Sequence, residues 1–100
     1  LSRIITIGSE AFVTAFRLQG IDGFIASPSD FGSLIDTVVA DESVAIVILE
    51  ESLYLSKRVK MDNLKVSITR PLFIEIPTSS EDRVDIIKQL IQKNIGISLG

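Results

Sequence analysis

Val44-Ala45-Ile46-Val47-Ile48-Leu49 is the longest uninterrupted apolar run in the chain, and it is followed at once by Glu50-Glu51-Ser52. A strand with one wet face alternates apolar and polar residues, so a run without alternation predicts a strand covered on both faces. Such a strand belongs at the centre of a parallel sheet with helices above and below it.

The segments on either side agree with that placement. Upstream, Phe31, Leu34, Ile35, Val38 and Val39 repeat at helical spacing and end near Asp41 to Ser43. Ser27-Pro28-Ser29-Asp30 precedes them and supplies turn chemistry with either serine as the cap. Gly23 to Ala26 reads as a short strand. Ala11, Phe12, Ala15 and Phe16 predict a helix capped by Ser9 and stopped by Gly20. Arg3 to Gly8 is β-branched and apolar, a buried first strand whose glycine opens the exit turn.

Downstream, a third helical segment runs to about Val66, but Leu53, Leu55, Val59, Met61 and Leu64 are less regularly spaced, which predicts a helix that is broken or frayed. Pro71 returns the chain to extended geometry, Leu72 to Ile76 reads as a fourth strand, and Pro77 ends it. Strict strand–helix alternation with short links implies right-handed crossovers. The expected fold is α/β: a four-stranded parallel sheet of order 2-1-3-4 in a flavodoxin-like, truncated receiver-like three-layer head. The head is expected to span 1–77, with a linker and a C-terminal helix over 78–100.

That last helix carries Val84, Ile86, Ile87, Leu90, Ile91 and Ile95. At about 100° per residue they cover roughly half its circumference, wider than one sheet needs to bury. A partner-binding face at Val84, Ile87, Leu90, Ile91 and Ile95 follows, with a hinge at Pro77 to Ser80.

Composition removes several kinds of chemistry. One hundred residues suit a single small domain, and mean hydropathy is +0.42. The longest apolar run falls far short of the roughly 20 residues needed to span a bilayer, so no direct membrane insertion is expected. The start Leu-Ser-Arg-Ile-Ile has no signal-peptide pattern, and the absence of cysteine fits a cytosolic setting. Without histidine or cysteine there is no Ser-His-Asp relay and no His/Cys metal site. Gly8-Ser9-Glu10 offers one glycine and a carboxylate where a dinucleotide loop needs further glycines, and no phosphate loop with its lysine is present. No cofactor is implied. A net charge of -3 argues against nucleic acid, and Lys57, Arg58, Lys60, Lys65 and Arg70, interrupted by Asp62, read as a solvated or partner-facing surface.

Ligands of such folds sit beyond the carboxyl ends of the strands, here Gly8 to Glu10, Ala26 to Asp30, Glu50 to Ser52 and Pro77 to Ser80. Convergence of Glu10, Glu50 and Glu51 on a divalent cation would make the chain a degenerate receiver-like signalling domain. Against it, acidic residues in a first helical turn ordinarily complement the helix dipole. A working receiver also needs an aspartate and a lysine where this chain has Glu50 and Pro77. Phe12, Phe16, Phe24, Phe31 and Phe73 are expected in the core, and Tyr54 carries its hydroxyl at the surface.

Three motifs then point to a family: Ile7-Gly8 followed by Thr14-Ala15-Phe16-Arg17-Leu18-Gln19-Gly20-Ile21, then Pro71-Leu72-Phe73-Ile74-Glu75-Ile76-Pro77, then Lys93-Asn94-Ile95-Gly96-Ile97. In order and spacing the chain resembles the F subunit of the V-type and A-type rotary ATPases and ATP synthases. It departs from the family pattern at Ser9, where an acidic residue is common. The resemblance implies a non-catalytic central-stalk component with a small α/β head and a C-terminal helix along the coiled-coil D subunit of the stalk. It further implies rotation inside the catalytic hexamer, a link to the membrane rotor through the stalk-socket subunit, and modulation of ATP hydrolysis and coupling.

Overall fold

In the computed structural model, which describes residues 2–77, β3 (Val44–Glu50) lies between β1 (Arg3–Gly8) and β4 (Leu72–Ile76). β2 (Gly23–Ile25) pairs with the other side of β1, so the four-stranded sheet has the order β2-β1-β3-β4 and is parallel throughout. This is the expected order, and the unbroken apolar run is the interior strand. The register sets Ile5 beside Val47 and Val47 beside Phe73. It shifts between Arg3 and Ile4, an irregularity that brings Val44 and Val47 onto the same face although they are three apart.

Each face of the sheet carries a separate core, because successive strand residues point to opposite sides. Ile5, Ile7, Val47, Leu49 and Phe73 pack under α2 (Pro28–Ala40), α3 (Glu51–Ser56) and α4 (Arg58–Ser67) through Phe31, Ile35, Leu53 and Met61. On the reverse face Ile48 and Ile76 meet Phe12, Val13 and Phe16 of α1 (Glu10–Arg17). The result is the expected flavodoxin-like three-layer arrangement.

Helix boundaries follow local chemistry. Ser9 caps α1 by accepting from the Phe12 N–H at 3.3 Å. The helix closes at Arg17, and Gly20, at φ +84°, makes the left-handed turn that lets the Ile21 N–H return to the Phe16 carbonyl at 3.1 Å. At the start of α2 the Asp30 carboxylate accepts from the Ser27 N–H at 2.7 Å, with Pro28 in the first turn where its missing donor is harmless.

The irregular third segment is two helices, separated at Lys57 by a non-helical backbone (φ -132°, ψ 42°). A continuous helix would set Met61 roughly 80° around the axis from Leu53. The break re-phases the chain so that both side chains are buried. One aromatic departs from expectation: Phe24 is 43% exposed, since β2 is a short edge strand with no further strand beside it among the described residues.

A surface clamp joins the start of β1 to the turn before β3. Arg3 Nη2 lies 3.1 Å from Asp41 Oδ2, while the Ser43 hydroxyl and N–H donate to Asp41 Oδ1 at 2.7 and 2.9 Å. The Ser43 hydroxyl and backbone, aided by Arg3, hold the Asp41 carboxyl below its usual range. A depressed carboxylate stabilises the folded state above the unfolded pKa, and that contribution is lost as pH falls through the folded pKa. The stability difference between wild type and Asp41→Asn is therefore expected to be full above about pH 4 and to shrink below it. Urea titrations on both sides of that pH check this, and a difference that grows on acidification contradicts it.

Candidate functional site

The carboxyl-end rim of the sheet is held together by its own polar groups. Glu50, the last residue of β3, is 3% exposed and accepts from the Ser9 N–H at 2.7 Å, which ties the first turn of α1 to the centre of the sheet. Gly8 makes this approach possible: a Cβ there would lie 2.9 Å from Glu50 Oε1 and 2.6 Å from the Phe12 ring. Asp30 is taken up by its helix cap.

Glu10 is exposed and Glu51 only half-buried, so the three carboxylates have different environments. Among the described residues no group of three or more acidic, histidine or cysteine side chains is placed to hold a metal ion. The alternative reading, in which Glu10, Glu50 and Glu51 converge on a cation, finds no such grouping among the described residues. Burial of Glu50 against Ser9 depends on a backbone contact across 41 residues, which residue spacing does not reveal.

The basic cluster is largely paired across elements. Lys60 Nζ lies 2.7 Å from Asp36 Oδ1 of α2, and Arg58 Nε lies 3.7 Å from Asp62 Oδ2 within α4. Lys65 pairs with Glu75 of β4 and sits 4.7 Å from the centroid of the Tyr54 ring. Arg70 donates to the Val44 carbonyl at 3.3 Å and to Ser2 Oγ at 3.1 Å. The Tyr54 hydroxyl, expected at the surface, donates to Asp62, and this bond together with the nearby negative charge raises the Tyr54 pKa. These groups stitch α4 to its neighbours.

Val84, Ile87, Leu90, Ile91 and Ile95, the expected partner-binding positions, lie outside the described residues, as does 78–80 of the expected hinge. A family model for the ATP synthase (F/14-kDa) subunit matches residues 4–97. The chain belongs to this family. The F subunit of the V/A-type rotary ATPases is thus the assignment that the three motifs point to, and the match runs through all of them and through the apolar-periodic segment beyond β4. A search of curated proteins gave no match for this F subunit. Among its described residues no helix is long and apolar enough to cross a membrane.

Proposed function

We propose that this F subunit is a non-catalytic central-stalk component of a proton- or ion-translocating V/A-type ATPase or ATP synthase. It comprises a head over 1–77 and a partner-binding helix beyond the 78–80 linker. Val84, Ile87, Leu90, Ile91 and Ile95 bind the coiled-coil D subunit of the stalk. Through that partner the protein turns within the catalytic hexamer, links to the membrane rotor by way of the stalk-socket subunit, and regulates coupling and ATP hydrolysis. It works at the cytoplasmic side, peripheral to the membrane.

The observation that carries this reading is that the family match continues to residue 97, across a segment whose apolar positions span about half a helix. The rim adds support: the Glu50 and Asp30 carboxylates accept from the backbone N–H groups of Ser9 and Ser27, in a head whose polar inventory contains neither histidine nor cysteine. Torque transmission calls for a stiff core and a broad partner face rather than a reactive pocket.

Ile87→Asp and Ile91→Asp are each expected to abolish co-purification with the coiled-coil partner, because one buried unpaired carboxylate costs several kcal/mol. The far-UV spectrum and urea midpoint of the head are expected to stay unchanged. Retained assembly in both variants would refute the assignment of that face.

A further inference from the structure

β2 is an edge of the sheet, and the ladder shows which of its backbone groups point outward. The Thr6 N–H donates to the Asp22 carbonyl and the Ala26 N–H to the Gly8 carbonyl, both at 3.0 Å. Successive residues of a strand turn their polar groups to alternate sides, so Phe24 bonds to β1 while the N–H and C=O groups of Gly23 and Ile25 face away from it. No further strand lies beside β2 among the described residues. An open groove of about 320 Å³ follows Gly23 to Ala26, lined also by Arg17, Asp30 and Leu34. Phe24 and Ile25 flank it at 43% and 52% exposure.

One side chain is laid across this edge. Arg17, in the last turn of α1, donates through Nη2 to the outward carbonyl of Gly23 at 3.0 Å. Its charge meets no carboxylate among the described residues, whereas Arg3, Arg58, Lys60 and Lys65 each pair with an acid. Gly23 brings no side chain of its own to shield the strand, and a strand this short offers few outward groups, so covering one acceptor removes much of what the edge can give. Open edges invite pairing with another chain, and a charged side chain placed on the edge opposes it.

We propose that Arg17 is a latch that keeps β2 from pairing with the β2 of a second copy of this chain. A two-fold axis at Phe24 sets Gly23 opposite Ile25 of the other copy, so that the outward N–H and C=O groups of both strands would pair in an antiparallel ladder. Phe24 would then face its own equivalent across the axis, in the closer, non-hydrogen-bonded position where aromatic pairs are favourable. The edge is thus self-complementary, and a second copy is the occupant that its register fits. Arg17 prevents this pairing because its guanidinium takes the Gly23 carbonyl and fills the place of the incoming N–H. The inference goes beyond the stalk reading and does not depend on it.

The test is sedimentation equilibrium of the full chain at concentrations up to about 100 μM, where even a weak dimer is populated. Arg17→Ala is expected to raise the weight-average mass over that of wild type by a factor of about 1.5 at the highest concentration, and less on dilution. Adding Ile25→Pro removes an outward N–H without touching the β1 ladder, so Arg17→Ala/Ile25→Pro is expected to return to the wild-type mass. That reversal separates edge pairing from aggregation of a misfolded chain, which a further proline would not cure. An Arg17→Ala mass equal to that of wild type at every concentration overturns the latch, and so does association that persists undiminished in the double variant.

Discussion

Gly23→Ala is expected to destabilise the fold by about 3 kcal/mol. Gly23 is paired in register with Thr6, and a Cβ at this position would lie 1.9 Å from Thr6 Oγ1 and 2.6 Å from the Thr6 carbonyl oxygen. The hydroxyl can rotate, but the carbonyl cannot yield, because β1 is gripped by β3 on its far side. Thr6 is completely buried, so no solvent-filled space absorbs the added methyl. The β1–β2 pair must open, and Phe24 and Ile25 then lose the strand that orders them. Urea denaturation should show a lower midpoint with an unchanged slope. A loss below about 1 kcal/mol would mean that the two strands pass farther apart than described.

Phe12→Ala is expected to cost about 4 kcal/mol. Its ring is fully buried, lies 5.3 Å from the Phe16 ring between centroids, and shares a cluster with Ile48 and Ile76 of the two neighbouring strands. Truncation leaves a cavity at the junction of α1 and the sheet, beside the Glu50–Ser9 bond. The same ring occupies the space a Cβ on Gly8 would need. Gly8→Ala is therefore expected to be destabilising by itself and to be partly relieved in the Gly8→Ala/Phe12→Ala double variant. A double-mutant cycle measures the coupling. Strict additivity would show that the ring does not bear on Gly8.

The architecture is legible in the sequence because its determinants are local. Val44 to Leu49 declares a doubly covered strand by composition, Ser9 and Ser27 mark helix starts, and Pro71 and Pro77 bracket β4. Irregular spacing also announces the break in the third segment, although only the competing demands of Leu53 and Met61 place it at Lys57. Phe24 reads as a core residue by its type and is half-exposed in the fold, even though the expected strand order already puts β2 at an edge.

The carboxylates and basic residues are harder to read, because their partners are far away in the chain. Lys60 finds Asp36, Lys65 finds Glu75 and Glu50 finds Ser9 only once the crossovers are packed. The pairing turns an apparent basic patch into a set of ties between α4 and its neighbours. Val59 reads in the sequence only as an irregular helix position, since residue type does not distinguish an outward valine from an inward one.

The central claim is that this F subunit does its work by assembling on a coiled-coil stalk. Size-exclusion chromatography of the full chain with the coiled-coil D subunit, at micromolar concentrations of each, tests it most directly. A single earlier-eluting peak that contains both chains in equal amounts is the predicted result, and two peaks at the elution volumes of the separate proteins would contradict it.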